Sequence, residues 1–273
     1  MSLLEKTKFL LRTHRIVPKK CLGQNFMVEP HVLQLMVDYA SLNFDDTVLE
    51  VGAGLGYLTN LLKKTCKTVL AVEVDSGLAG ILHEQLKDTQ NVRIIEGGVL
   101  ETSVPSFNKV VSIPPYHLSS RLLLWLFGAG FDRAILVFQK EFANRLVASV
   151  GSEDYGWLTV LTYYHAEVKL FDDVPKWMFY PQPKIDSVIV RLEPKNPRLY
   201  PLRNEKLFKQ LLRSCFTKRN RKVKNAVLAF MKGFYAMSEE EVIRIAEALP
   251  FRESRVRELT PEDFGVLADV LIQ

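Results

Sequence analysis

Residues 48–59 read Val48-Leu-Glu-Val-Gly-Ala-Gly-Leu-Gly-Tyr-Leu-Thr59, an apolar run followed by three glycines at alternate positions. The run 48–51 is typical of a short buried strand, and the amphipathic segment 58–64 is typical of a helix. Glycines permit left-handed dihedral angles and a close approach of a ligand to the backbone, and the helix N-terminus adds unpaired N–H groups. The pattern therefore predicts a strand, a tight glycine turn and a helix that together bind a ligand.

An acidic residue indicates which ligand this turn binds. The next apolar run, 68–74, carries Glu73 at its carboxyl end, about twenty residues after the glycines. Two carboxylate oxygens match the two neighbouring hydroxyl groups of a ribose. The glycine spacing differs from the dinucleotide pattern, whose third glycine lies one residue later. We interpret the pair of motifs as a site for a nucleoside cofactor; the alternative is an ordinary strand, turn and helix with Glu73 facing solvent.

Composition places the chain among ordinary globular proteins. It has 273 residues, 48% hydrophobic and 25% charged, which is enough for one large domain and a smaller one. The net charge of +5 favours an acidic partner such as nucleic acid if the positive charges are clustered. The three cysteines and five histidines are scattered without metal-ligand spacing, so no metal site is expected. No stretch has the length of a signal peptide or a membrane span, which predicts a cytoplasmic protein without a membrane partner.

Strand and helix patterns alternate through the first two thirds of the chain. Apolar periodicity predicts helices at 3–12, 31–39, 58–64, 76–86, 120–127 and 142–150, and strands at 48–51, 68–74, 91–95, 109–112, 133–138 and 185–192. Such alternation indicates an α/β fold whose parallel sheet is covered on both faces. Ligands bind such sheets outside the carboxyl ends of the strands, so Gly97, Gly98 and Val99 are expected beside the cofactor base.

A second, smaller and all-helical domain is predicted after a change of composition at 194–201. The helical segments are 205–216, 223–232, 238–249 and 261–271, the third with a capping box of Ser238 and Glu241. The predicted organisation is a basic N-terminal arm at 1–20, a cofactor-binding domain at 21–193 and a helical RNA-binding domain at 200–273. For the basic segment 14–20, a solvated tail and an arm that contacts phosphates are equally consistent with the sequence.

Two proline-rich loops are candidates for binding a flat base. Ile113-Pro-Pro-Tyr116 follows a strand, and its prolines lack N–H groups, so its carbonyl oxygens are free to accept from an amino group. Tyr116 offers a flat stacking face, and Phe179, within the aromatic and proline-rich stretch 174–187, is the candidate for a second one. The alternative for the first loop is a structural turn with a packed tyrosine.

A dense run of positive charge lies between the first two helices of the C-terminal region. It contains Lys218, Arg219, Arg221, Lys222 and Lys224. Such a run is usually a solvated face, but its density and single sign favour contact with nucleic acid.

Taken together, the chain resembles the universal small-subunit ribosomal RNA adenine dimethyltransferase family. The motifs that carry the resemblance are Leu22-Gly-Gln-Asn-Phe, Leu49-Glu-Val-Gly-Ala-Gly-Leu-Gly-Tyr-Leu-Thr, Val72-Glu-Val-Asp, Pro115-Tyr116 with Ser119-Ser120, Val174-Pro-x-x-x-Phe-Tyr-Pro-x-Pro-Lys, Phe216-Thr-Lys-Arg-Asn-Arg-Lys and Arg257-Glu-Leu-Thr-Pro-Glu-Asp-Phe. The resemblance implies a Rossmann-like class I methyltransferase sheet with a helical C-terminal domain. It also implies S-adenosylmethionine as cofactor, dimethylation of N6 on two adjacent adenosines near the 3' end of small-subunit RNA, and the small ribosomal subunit as partner. We expect a monomer with a role in ribosome assembly.

The resemblance also implies roles for individual residues. Gln24, Asn25 and Met27 are expected to close over the cofactor, Gly52, Gly54 and Gly56 to approach its methionine part, Glu73 to hold its ribose, and Gly98, Val99 and Ile113 to border it. At the reacting end, the carbonyl groups of Ile113 and Pro114 are expected to accept from the target amine, and Tyr116 and Phe179 to stack the flipped adenine.

Two positions depart from the family pattern. The family usually carries an aspartate at the position of Gly98, to accept from the amino group of the cofactor adenine. It usually carries an asparagine at the position of Ile113, to accept from the target amine. Three hypotheses follow: an active enzyme that uses backbone carbonyls, with Ser112 as a further acceptor; a catalytically weak or inactive assembly factor; and a methylase of large-subunit RNA, against which the complete C-terminal resemblance argues.

Overall fold

A seven-stranded sheet underlies the first part of the chain in the computed structural model, which describes residues 1–195, 204–234 and 238–272. The strands of the described residues are β1 (Phe26–Met27), β2 (Thr47–Val51), β3 (Thr68–Glu73), β4 (Val92–Glu96), β5 (Lys109–Ser112), β6 (Arg133–Gln139), β7 (Ala166–Val174), β8 (Phe179–Tyr180) and β9 (Ser187–Pro194). The helices are α1 (Leu3–Thr13), α2 (Pro30–Ala40), α3 (Tyr57–Leu62), α4 (Ser76–Leu86), α5 (Ser119–Ala129), α6 (Lys140–Leu146), α7 (Trp157–His165), α8 (Glu205–Phe216), α9 (Val223–Phe234), α10 (Glu239–Ala248) and α11 (Pro261–Ile272).

The strand order of the large sheet is β4-β3-β2-β5-β6-β9-β7. The strands β4, β3, β2, β5 and β6 are parallel to their neighbours, and β9 is antiparallel to β6. The chain moves outward from β2 through β3 to β4, and then returns to continue on the other side of β2 with β5 and β6. This reversal creates a topological switch point between β2 and β5, where such sheets bind ligands. The predicted α/β fold of the class I methyltransferase type is confirmed.

Buried aliphatic side chains hold the helices on this sheet. Val48, Val69 and Val111 of adjacent strands are fully buried in one cluster with Met36 of α2 and Leu62 of α3. Burial of each such side chain stabilises the fold by roughly 1.5–3 kcal/mol. The glycine turn between β2 and α3 is thus fixed at both ends by buried packing.

The N-terminal region packs on this unit. The helix α1 begins with a capping box of Ser2 and Glu5 and buries Leu11. The Thr7 hydroxyl lies 3.0 Å from the hydroxyl of Tyr57, the first residue of α3. Residues 3–13 of the predicted arm are therefore an ordered helix beside the glycine turn.

The chain divides into two compact units at other points than the sequence predicts. The first unit contains Met1–Ala143 and Val168–Pro194, and the second contains Asn144–Glu167 and the described part of Lys195–Gln273. The segment Asn144–Glu167, which we placed in the cofactor domain, belongs to the second unit because its helix α7 packs against α8 and α11. Most of the predicted boundary, 194–201, lies outside the described residues.

Contacts within the second unit explain this difference. The Tyr155 hydroxyl donates to the carbonyl oxygen of Leu259 at 2.7 Å, and the rings of Tyr164 and Phe208 lie 4.9 Å apart. The four predicted C-terminal helices are confirmed as α8 to α11, including the capping box of Ser238. The sequence analysis missed α7 and β7, as well as the two-stranded ribbon of β1 and β8.

Candidate functional site

A cleft of about 670 Å³ opens at the carboxyl ends of β2, β3, β4 and β5. Its lining includes eleven of the predicted residues, namely Gln24, Asn25, Gly52, Gly54, Glu73, Gly97, Gly98, Val99, Ile113, Pro114 and Tyr116. Residues that are far apart in the sequence thus meet at the switch point, while Met27, Gly56 and Phe179 lie outside this lining.

The glycine turn brings backbone to the floor of the cleft. Gly52 and Gly54 have φ angles of 77° and 57°, in the left-handed region that favours glycine. A Cβ atom on Gly52 would lie only 3.2 Å from Cδ of Pro115. Gly56 has another role, because a Cβ atom there would lie 2.8 Å from Cδ2 of Leu82, between α3 and α4. The first two glycines keep the cleft open, and Gly56 allows two helices to pack.

Glu73 ties the end of β3 to this turn. Its Oε2 accepts from the backbone N–H of Gly54 at 2.8 Å, and its Oε1 accepts from the N–H of Asp75 at 2.9 Å. Burial raises the pKa of the Glu73 carboxyl group above its ordinary value. A carboxylate has about four lone-pair sites, so each oxygen can accept one further hydrogen bond. Glu73 is thus held rigidly and can still bind a diol.

A second cavity, of about 400 Å³, adjoins the cleft on the side of Met27 and contains Glu50. Glu50 is 2% exposed and accepts a hydrogen bond from the Thr59 hydroxyl at 2.6 Å. Burial raises its pKa to about 8, and the neighbouring charge of Glu73 acts in the same direction. The sequence analysis quoted Glu50 but gave it no role; the available signal was a carboxylate inside a buried strand, two residues before the glycines.

The basic segment before the cleft is tied to the N-terminus of α4. Nζ of Lys19 lies 2.8 Å from Oδ2 of Asp75, and Nε2 of Gln24 donates to the same oxygen at 3.0 Å. Although burial acts to raise it, these partners hold the pKa of Asp75 below its ordinary value. Beside them, Asn25 donates to the carbonyl oxygen of Gly23 at 3.1 Å. Lys19 therefore fastens the segment that covers the cleft and is not part of a solvated tail.

The proline loop after β5 forms the opposite wall. The carbonyl oxygen of Ile113 lies 3.9 Å from the position that a Cβ atom on Gly52 would take, so it faces the glycine turn. Ser112 is fully buried; its hydroxyl donates to the carbonyl oxygen of Val51 at 2.6 Å and accepts from the N–H of Val51 at 3.1 Å. Ser112 is thus committed to joining β2 and β5, and the backbone carbonyls of the loop are left as the acceptors.

The two predicted stacking residues are neighbours but are not parallel. The ring centroids of Tyr116 and Phe179 lie 6.3 Å apart at an interplanar angle of 73°, and Phe179 is 2% exposed. The Tyr116 hydroxyl lies 2.7 Å from that of Ser187, and burial raises its pKa to about 12. Phe179, which lies outside the cleft lining, therefore does not present a second stacking face, and Tyr116 is left as the face available to a base.

Arg219, one of the predicted RNA contacts, is a structural residue. Its guanidinium group donates to the carbonyl oxygens of Ser152, Glu153 and Tyr155 at 3.1, 2.6 and 2.9 Å. Three bonds of this kind fix the loop before α7 and leave little of the guanidinium for a phosphate.

The other four cations of the cluster differ in their partners. Lys222 and Lys224 lie 2.6 and 2.9 Å from the carboxylate of Glu253, and their hydrogen bonds lower the pKa of Glu253 to about 2. Within the described part of the chain, the side chains of Lys218 and Arg221 have no ion pair or hydrogen bond. The free charge of the cluster is therefore concentrated on these two residues.

The described residues contain neither a metal site nor a helix that could span a membrane. Over 1–195, 204–234 and 238–272, no group of three or more His, Cys, Asp and Glu side chains is placed to bind a metal ion. In the same residues, no helix has both the length and the apolar character needed to cross a membrane.

Comparison with known proteins gives consistent matches over most of the chain. A profile of the family described as ribosomal RNA adenine dimethylase matches residues 17–261. A probable ribosomal RNA small subunit methyltransferase A of Methanosarcina acetivorans is 37% identical over 250 residues, which are 91% of each chain. The protein of the same description from Thermococcus kodakarensis is 38% identical over 256 residues, covering 93% of this chain and 90% of the relative.

Two solved structures share the fold over both units. A dimethyladenosine transferase from Plasmodium falciparum is 30% identical, with a TM-score of 0.76, and the match covers 88% of this chain and 94% of the other. The 23S rRNA methyltransferase ErmE is 26% identical, with a TM-score of 0.65, and the match covers 91% of this chain and all of the other.

Proposed function

Because the chain belongs to the ribosomal RNA adenine dimethylase family, we propose that it transfers methyl groups from S-adenosylmethionine to N6 of adenines in small-subunit ribosomal RNA. Family membership makes the chain an RNA adenine methyltransferase. In its finer form, the proposal is that two methyl groups are added to each of two adjacent adenosines near the 3' end. The observation that carries it is the meeting of Glu73, the glycine turn and the Tyr116 loop in one cleft.

The residues of the cleft fit the proposed cofactor. Glu73 has lone pairs left for the two ribose hydroxyls, after its two bonds to backbone N–H groups. Glu50 lies in the adjoining cavity, where the ammonium group of a methionine would compensate a buried carboxylate. Two glycines keep the space between these acids free of side chains. The cleft thus offers complementary groups for a nucleoside that carries an amino acid.

The residues at the far wall suit the target adenine. When bound, the cofactor supplies a methyl group on a positively charged sulfur atom. Tyr116 provides a face for the flipped base, and the carbonyl oxygens of Ile113 and Pro114 accept from its amino group, which orients the nitrogen and stabilises its developing positive charge. The high pKa of Tyr116 keeps its hydroxyl protonated at neutral pH, so it serves as a stacking surface and not as a base.

We assign RNA contact to the second unit. Lys218 and Arg221 carry the unpaired positive charge of its basic cluster and are suited to phosphates. The proposed partner is the small ribosomal subunit, on which the protein acts as a cytoplasmic monomer during assembly.

A second candidate function is favoured by Ile113. Without the amide of an asparagine at this position, the chain loses one preorganised acceptor, and loss of such a group typically costs on the order of a hundredfold in rate. The second candidate is therefore an assembly factor that binds the small subunit and methylates it slowly or not at all. Action on large-subunit RNA is the weaker alternative, because the relatives at 37% and 38% identity carry a small-subunit description.

The decisive experiment is transfer of labelled methyl groups from S-adenosylmethionine to small ribosomal subunits that lack the modification. We expect label on two adjacent adenosines, located by mapping the modified nucleotides. Large subunits are offered in a parallel reaction, and label on them without label on small subunits would identify the weaker alternative as correct. Tight binding to the small subunit without methyl transfer would support the second candidate function, an assembly factor.

A further inference from the structure

The side chain of Glu101 fills the space above Gly98. Its Oε2 occupies the position that a Cβ atom on Gly98 would need, and its Cδ lies 3.2 Å from that position. A turn makes this possible, because the N–H groups of Glu101 and Thr102 both donate to the carbonyl oxygen of Gly98, at 3.0 and 2.9 Å. The carboxylate of Glu101 therefore lies where a side chain on residue 98 would begin.

One oxygen of this carboxylate is held and the other is available. Oε1 of Glu101 lies 3.3 Å from a guanidinium nitrogen of Arg121, on α5. Among the residues that the structure describes, none donates a hydrogen bond to Oε2 of Glu101. The side chain is 64% exposed, and although Glu101 is not itself part of the cleft lining, its Oε2 is accessible to a ligand that extends over Gly98, which is.

The order of the strands places the cofactor base at this point. Along the sheet edge from β5 to β4 lie Ile113, the glycine turn, Glu73 and then Gly98. This order matches the proposed order of the ligands, which is the target adenine followed by the methionine, the ribose and the base of the cofactor. The N–H of Gly97 donates to the carbonyl oxygen of Glu73 at 2.8 Å, so the two loops are adjacent. A base attached to a ribose on Glu73 then extends over residues 97–99.

We propose that Glu101 accepts a hydrogen bond from the exocyclic amino group of the cofactor adenine, in place of a side chain on Gly98. The inference rests on the proposed function, since it needs a purine nucleoside in the cleft. A carboxylate suits an amino donor and repels the oxygen of a 6-oxo purine. Because Glu101 is partly exposed, we expect it to contribute about a three- to tenfold preference for the 6-amino base.

The test is calorimetric titration of the full chain with two ligands. One is S-adenosylhomocysteine, and the other is the same molecule with hydrogen in place of the 6-amino group. We expect the native chain to prefer the amino compound, Glu101→Ala to lose that preference, and the double variant Gly98→Asp with Glu101→Ala to regain it. Glu96→Gln, an exposed glutamate at the end of β4 that pairs with His83, is the matched control and should keep the native preference.

Each outcome separates this inference from the proposed function. Suppose that Glu101→Ala weakens the binding of both ligands equally, or of neither, while the native chain binds S-adenosylhomocysteine and methylates RNA. The inference about Glu101 is then wrong, and the proposed function stands. If the native chain binds neither ligand, the proposed function is wrong, and the inference about Glu101 is wrong with it. Methyl-transfer kinetics give a second readout, because a residue that only binds the base should raise KM and leave kcat unchanged.

Discussion

Glu50 should make the stability of the unliganded protein depend strongly on pH. It is 2% exposed within β2, and its folded-state pKa of about 8 lies about 3.5 above the ordinary value of 4.5. Between these two values the unfolded chain releases the proton while the folded chain keeps it. The stabilising contribution is therefore complete below pH 4.5 and is lost as the pH rises to about 8.

The size of this effect follows from the two pKa values. Each pKa unit corresponds to about 1.4 kcal/mol, so the full loss is about 5 kcal/mol. Between pH 5 and pH 8, linkage gives a loss of roughly 3 to 4 kcal/mol relative to a variant with a neutral side chain at this position. Glu50→Gln provides that reference, because its amide oxygen can still accept from the Thr59 hydroxyl.

Urea unfolding at pH 5, 6, 7 and 8 measures the difference directly. All other ionisable groups are common to the native chain and Glu50→Gln, so apart from the coupling between Glu50 and Glu73 their effects cancel in the difference between the two free energies of unfolding. For Glu96→Gln, at an exposed position, the free energy of unfolding should depend on pH in the same way as that of the native chain. Parallel curves for the native chain and Glu50→Gln would refute the assignment of a buried, protonated Glu50.

The same residue links cofactor binding to proton release. If the ammonium group of S-adenosylmethionine lies beside Glu50, binding favours the ionised carboxylate and lowers its pKa. Titrations below pH 8 should then release a proton, seen as a binding enthalpy that varies with the ionisation enthalpy of the buffer. Glu50→Gln should bind more weakly and without this dependence.

The other predictions concern the target site and the basic cluster. Tyr116→Ala should abolish transfer of labelled methyl groups because the stacking face is lost, whereas Tyr116→Phe should retain most of it; an active alanine variant would contradict the assignment. If backbone carbonyls already serve as acceptors, Ile113→Asn should change the single-turnover rate by less than about tenfold, and a gain of about a hundredfold would favour the assembly factor. Replacing Lys218 and Arg221 by methionine should reduce the salt slope of particle binding by about one to two at unchanged Tm. Arg219→Met should instead lower the free energy of unfolding by about 1–3 kcal/mol, because three carbonyl oxygens, two of them partly buried, lose their charged donor; an unchanged melting curve would argue against its structural role.

The sequence predicted the elements with clear periodicity and missed those without it. The helix α7 is buried on nearly all sides, so it shows no apolar stripe. The strand β7 lies at the edge of the sheet; it alternates only over residues 166–170, and the pattern breaks at Phe171, which is followed by two exposed aspartates. The unit to which Asn144–Glu167 belongs depends on long-range packing, which a local pattern does not contain.

The site was predictable where chemistry and strand ends coincide, as at Glu73 and Ile113. The site was not predictable where a residue elsewhere in the sequence supplies a group that is missing at the expected position. The fold of the turn after β4 brings Glu101 over Gly98, and spacing in the sequence does not reveal this return. Likewise, only the hydrogen bonds show that Ser112 is committed to the sheet and that Arg219 is committed to a loop.

The two departures from the family pattern have different physical consequences. Gly98 concerns a ground-state contact to the cofactor, and the carboxylate of Glu101 lies in the space that would compensate it. Ile113 concerns an acceptor for charge that develops during methyl transfer, and with Ser112 committed to Val51 the replacement has to come from the backbone. A carbonyl in a loop with two successive prolines is rigid and needs no reorganisation, which is the property that makes such acceptors effective. The proposed compensation at residue 98 therefore bears on the cofactor concentration that the enzyme needs, whereas the acceptor proposed at residue 113 bears on its rate.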